Sequence, residues 1–146
     1  MRPTDPKQLM GVYTEYQDIP DYYRLYHYSD QFDGRDVWSE FVAQKDISDY
    51  ESRRFRRVEK SWKNHVESHH ALAHPDEVED YFSDMMESKS LTTTYFYFQR
   101  LHGFYKFLMM NYNYPHVYSP VMLAVVSGPE TRKCWDYKIS ERKRVQ

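Results

Sequence analysis

Between Thr92 and Asn111 large apolar side chains recur in two rows, Tyr95, Phe98, Leu101, Tyr105 and Leu108 in one and Tyr97, Phe104 and Phe107 in the other. That spacing is helical, since residues three and four apart share a helix face. A helix apolar around much of its circumference has to be enclosed by other elements, so this segment reads as the central member of its fold. With 146 residues the chain has the length of one domain with a real core. Tyr 15, Phe 8 and Trp 3 imply a core of rings rather than aliphatic layers. Only four glycines are present, too few for the repeated hairpins of a sheet-rich fold. The expected class is all-α, a compact bundle of four to six helices.

Further helices follow from their start and stop signals. Ser48 and Glu51 have the capping-box spacing, and a helix is predicted from there to about His69. Its Phe55, Val58, Trp62 and Val66 form one stripe, with Arg53, Arg56, Arg57, Lys60 and Lys63 opposite. Pro75 with Asp76, Glu77 and Glu79 marks the next start, where the helix dipole favours acids; Val78, Tyr81, Phe82, Met85 and Met86 supply its buried side. Ser119-Pro120 opens a short helix through Val126, and Ser127-Gly128-Pro129 ends it. Earlier in the chain, Asp21–Phe32 and Arg35–Lys45 suggest two short helices. The Tyr22, Tyr23, Tyr26 and Tyr28 cluster reads as core or a dimer seam rather than a stacking platform for bases. The expected organisation is an N-terminal arm with short helices over residues 1–46, loosely docked through residues 1–18, then a helical domain over 47–126 and a basic tail or linker over 127–146.

The formal net charge of -2 conceals strong segregation. Residues 1–50 carry 5 Lys/Arg against 10 Asp/Glu, 51–66 carry 6 against 2, 67–90 carry 1 against 7, and 91–146 carry 8 against 3. A polyanion senses local potential rather than the total, so basic faces are expected despite a bland sum. Cys134 is the only cysteine, which excludes an intramolecular disulfide. The start Met1-Arg2-Pro3-Thr4-Asp5-Pro6 has no apolar signal segment, and no apolar run approaches bilayer length. A cytoplasmic protein without membrane association is the expectation. His65, His69, His70 and His74 include two i, i+4 pairs, but no His-Glu-x-x-His or cysteine pair accompanies them, and no metal or other cofactor is expected.

The stretch from Ser90 through Thr92-Thr93-Thr94-Tyr95 and Arg100-Leu101 to Phe104-Tyr105-Lys106-Phe107-Leu108 resembles the last long helix of the core-binding, SAM-like domain of tyrosine recombinases and phage integrases. Trp62, the Pro75 break and Val78–Met86 are similar to the helices before it, and Tyr118-Ser119-Pro120-Val121 stands where that domain closes with Asn-Pro. Ser119 departs from that pattern, and residues 1–45 match nothing in it. The resemblance covers about residues 50–126. It implies a clamp on double-stranded DNA, with homo-oligomers forming on the DNA. The family's catalytic Arg, Lys, His-x-x-Arg box and Tyr nucleophile are not recognisable here, so no catalytic residue is assigned and the chain is read as a binding domain, not an enzyme.

Duplex binding needs cations and hydroxyls arranged along a groove. The candidates are Arg53, Arg56, Arg57, Lys60 and Lys63 on the first long helix, Thr92, Thr93 and Thr94 at the start of the aromatic one, where a helix N-terminus favours anions, and Arg100. The competing reading is a free-standing helical module that binds a protein partner or regulates through DNA.

Overall fold

The computed structural model describes residues 4–144, so residues 1–3 of the expected arm and 145–146 of the expected tail lie outside the described residues. Seven α-helices are present among these: α1 (Ser29–Phe32), α2 (Val37–Ala43), α3 (Asp49–His65), α4 (Pro75–Ser88), α5 (Leu91–Met109), α6 (Pro120–Ser127) and α7 (Pro129–Arg144). Four short 3-10 turns precede α1, and no strand occurs among the described residues. The all-helical class is as expected, but the count exceeds four to six because α7 occupies the segment expected to be a tail.

Helix α5 touches α2, α3, α4, α6 and α7. Its Phe98, Leu101, Phe104, Tyr105 and Leu108 are fully buried. Rings from the surrounding helices close on it, with Trp38 of α2 4.7 Å and Phe41 5.5 Å from Phe104, and Phe82 of α4 5.7 Å from Phe98. Such centroid separations suit tilted and edge-to-face pairs. Burying one ring of this size contributes about 1.5–3 kcal/mol, so Tyr97, Phe98, Phe104 and Tyr105 make α5 a major contributor to the core.

The helix starts follow their caps. The Ser48 hydroxyl accepts from Glu51 N (3.2 Å) and the Ser90 hydroxyl from Thr93 N (3.1 Å). Pro75 and Pro120 each open a helix, where the missing N–H costs nothing. The capping box expected at Ser48 is half made: the Glu51 side chain turns to arginines instead of back to the Ser48 amide. Helix α3 ends at His65 rather than near His69. The reason lies on α4, where the Glu77 carboxylate accepts from Glu67 N, Ser68 N, the Ser68 hydroxyl and His74 N and so draws residues 67–74 out of helical geometry.

That connector runs through the interior, with Ala71, Leu72 and Ala73 buried. Buried peptide groups need partners, and distant side chains supply them. Trp62 Nε1 and the Tyr105 hydroxyl both donate to the His70 carbonyl, at 2.9 Å each; Ala73 N donates to Tyr105 Oη, and His116 meets the Ala71 carbonyl at 2.7 Å.

Two expectations about organisation are corrected. Residues 4–18, expected to dock loosely, are tied down through buried Met10, and the rest of the segment is no separate arm, since Ile19, Leu25, Phe32, Val37, Trp38 and Phe41 enter the common core and Leu25 N donates to the Tyr118 hydroxyl. Of the four clustered tyrosines, Tyr28 is partly buried against the core, whereas Tyr22, Tyr23 and Tyr26 are exposed and Leu25 between them is buried. Residues 129–144 are not a tail but α7, which packs on α4, α5 and α6 with Thr131, Cys134 and Trp135 buried. Trp135 Nε1 donates to the Thr4 carbonyl (2.9 Å), joining this helix to the N-terminal segment. No helix among the described residues is long and apolar enough to cross a membrane.

Candidate nucleic-acid interface

Helix α3 buries Phe55, Val58 and Trp62 and turns Arg53, Arg56, Arg57 and Lys60 outward. At 100° per residue these four cations fall within one arc opposite the buried stripe. None of them forms an ion pair among the described residues, whereas the carboxylates in the body of the helix are committed elsewhere. Glu59 holds Lys63 at 2.6 Å, and Glu51 holds Arg54 at 3.0 Å and Arg100 at 3.5 Å.

Lys63 therefore leaves the expected set. Its ammonium also reaches Asp36 (2.9 Å), the N-cap of α2, and the side chain is only 30% exposed. It is a strut between two helices. Partial burial opposes ionisation of Asp36, but hydrogen bonds from Ser39 and the Lys63 ammonium hold its carboxyl down at about 2.

Arg100 is corrected as well. Its side chain is 11% exposed, pairs with Glu51 and lies 4.0 Å over the Phe96 ring, so it stitches α5 to α3 instead of facing solvent. Arg54, not singled out from the sequence, covers the same ring at 4.6 Å. The Phe96 ring is thus shared by two guanidinium groups from two helices, a cation–π arrangement that fixes their crossing.

The threonine cluster divides. Thr94 is buried and its hydroxyl donates to the Ser90 carbonyl (2.9 Å), so it is excluded from any surface role. Thr92 and Thr93 are exposed; Thr92 Oγ1 lies 3.4 Å from the Tyr137 hydroxyl, and Thr93 Oγ1 accepts from the Ser90 hydroxyl. Both stand one turn before Phe96, the residue on which Arg54 of α3 rests. The start of α5 is therefore one turn from the ring covered by Arg54, the neighbour of Arg53 in the chain.

Helix α7 forms the other flank. Tyr137 packs against Tyr95 (4.9 Å) and meets Thr92, which sets the C-terminal turn of α7, with Arg142, Lys143 and Arg144, beside the start of α5. Arg144 is paired with Glu141 at 2.8 Å. Read as a tail, these bases had no defined place. The spacing of Thr131, Cys134, Trp135 and Ile139, all on one helical face, was the signal available for it.

The four histidines weighed as ligands are structural. His69 Nε2 meets the Arg35 carbonyl, His70 Nε2 accepts from Val37 N and Trp38 N, and His74 Nδ1 accepts from Asp76 N as the cap of α4; His65 lies 4.0 Å from Asp84. No cluster of three or more metal-ligating side chains occurs among the described residues. Comparison with protein-family models, with characterised proteins and with solved structures finds no match for this chain.

Proposed function

We propose that this chain is a non-catalytic helical module that binds double-stranded DNA through the outer face of α3 and the exposed start of α5, with the C-terminal turn of α7 alongside. The observation that carries the reading is the row Arg53, Arg56, Arg57 and Lys60, exposed and without carboxylate partners among the described residues, on a chain whose net charge is -2. From Arg53 to Lys60 the row advances about 10 Å at the helical rise, equal to about three base-pair steps. Thr92 and Thr93 add hydroxyls at a helix start, a position that favours phosphate oxygens. The resemblance of Ser90–Leu108 to the closing helix of recombinase core-binding domains sets the finer proposal: a SAM-like clamp, cytoplasmic, whose strand cutting and rejoining belong to a separate catalytic domain.

The test is duplex affinity as a function of salt. Binding weakens steeply between about 50 and 200 mM salt, because neutralised phosphates release counterions. Arg53→Glu, Arg57→Glu and Lys60→Glu together reduce the salt slope by about three, one per lost phosphate contact. Absence of duplex binding, or a slope that ignores the triple reversal, overturns the proposal and favours the protein-interaction reading.

A further inference from the structure

Tyr50 stands in the first turn of α3, one turn before Arg53, and is 61% exposed. At about 100° per residue it points within about 20° of Arg57 and about 60° of Arg53, so its ring belongs to the outward face that carries the cations. The helical rise puts it about 4.5 Å beyond Arg53 along the axis, a little over one base-pair step. The basic row therefore begins with an aromatic ring rather than with a charge.

That ring is braced. The Arg54 guanidinium lies over it at 5.3 Å and over Phe96 of α5 at 4.6 Å, and Glu51 fixes the same guanidinium at 3.0 Å. A cation over one face orients an aromatic ring, and with most of the residue exposed the opposite face is left to solvent. Past Tyr50 the attraction for phosphate stops, since Asp46 and Asp49 are exposed carboxylates. What the end of the row offers is thus a flat π surface and not more positive charge. Bases inside a duplex are stacked on one another and closed to such a surface, whereas an unpaired base has an open face that an aromatic side chain accepts whatever its identity.

We propose that Tyr50 makes the α3 face selective for a duplex that ends in an unpaired base, with Arg53, Arg57 and Lys60 on phosphates of the paired part and the Tyr50 ring stacked on the first unpaired base. The inference rests on the duplex-binding reading and names the substrate class of that same face. Because Asp46 and Asp49 follow directly, the contact is with a single nucleotide, and a longer single strand gains nothing more.

The probes are a blunt duplex, the same duplex with a single-nucleotide overhang of either polarity, and the same overhangs made abasic, which carry equal charge without a base. Affinity is read by fluorescence anisotropy at fixed salt. A base-bearing overhang of at least one polarity is expected to bind about fivefold or more tighter than its abasic counterpart, the contribution of one stacked base. Tyr50→Ala removes that difference while leaving blunt-duplex affinity, its salt slope and the helical circular dichroism unchanged, and Tyr50→Phe retains it. Equal affinity for base-bearing and abasic overhangs, a difference that survives Tyr50→Ala, or its loss in Tyr50→Phe overturns this inference and leaves the duplex-binding reading standing. Absence of binding to every one of these duplexes overturns both.

Discussion

A Cβ placed on Gly128 would come within 2.2 Å of Glu79 Oε1. The Glu79 carboxylate, carried on α4, accepts from Glu130 N, Thr131 N and the Thr131 hydroxyl and so caps the first turn of α7. Gly128 has an ordinary φ of -113°, so the requirement for glycine here is space and not backbone freedom. Gly128→Ala is expected to displace the carboxylate and cost about 1–2 kcal/mol, the scale of a lost cap. Glu79→Ala should cost a similar amount, and the two together little more than either alone. Urea denaturation of the four proteins checks this; additive losses would show that the two residues act separately.

Acid should destabilise the fold well before its carboxylates titrate. Burial holds His70 down at about 3 and His102 and His116 at about 4, against 6.5 for a free imidazole. Below about pH 6.5 the unfolded chain binds protons at these three sites and the folded chain does not. Their contribution is therefore complete above that pH and is lost as pH falls toward 4 and then 3. Each adds about 1.4 kcal/mol per pH unit to the slope within its window. At His70 the nearby His69 and Lys63 add to burial, and its ring nitrogen accepts from two amides that open α2, a role that protonation ends. Denaturation midpoints unchanged between about pH 7 and pH 5 would contradict this.

Cys134 should behave as an interior residue. Its thiol is buried on α7, and burial, with Glu79 and Glu130 adding to it, pushes the pKa up to about 12. Because the thiolate is the reacting species, Ellman's reagent should modify the folded protein on the order of a hundredfold more slowly than the unfolded chain. Modification at the rate of a free thiol would mean that α7 detaches readily.

Lys60 and Lys63, three residues apart, should separate binding from stability. Lys60→Ala is expected to lower the salt slope of duplex binding by about one without moving the unfolding midpoint. Lys63→Ala should do the reverse, leaving the slope unchanged and removing less than about 1 kcal/mol, because its partners Asp36 and Glu59 are partly solvated.

Helices α3 to α6 were legible because each starts at a local signal: Ser48, Pro75, Ser90 and Ser119-Pro120 satisfy or avoid free amides within a few residues of themselves. The interior course of residues 67–74 was not, since its partners Tyr105 and His116 are 32 and 45 residues away in sequence. Residues 4–36 contribute to the core singly, through Met10, Ile19, Leu25 and Phe32, and so show no period. In α7 the bases outnumber the acids and mask the Thr131, Cys134, Trp135 stripe. At the interface, exposure of Arg53, Arg56, Arg57 and Lys60 followed from helical phase alone. The Glu59–Lys63 pair has the i, i+4 spacing of a helical ion pair, but the reach of Lys63 to Asp36 on α2 and of Arg100 to Glu51 on α3 joins separate helices and has no local signal.

The segment from His70 to Ala73 is held at once by Trp62 of α3, Tyr105 of α5 and His116 of the turn before α6. None of these can slide without stranding a peptide group in a dry interior. If a duplex lies along α3 as proposed, adjustment to it would fall to the outward guanidinium chains, because moving the connector beneath them would strand these peptide groups.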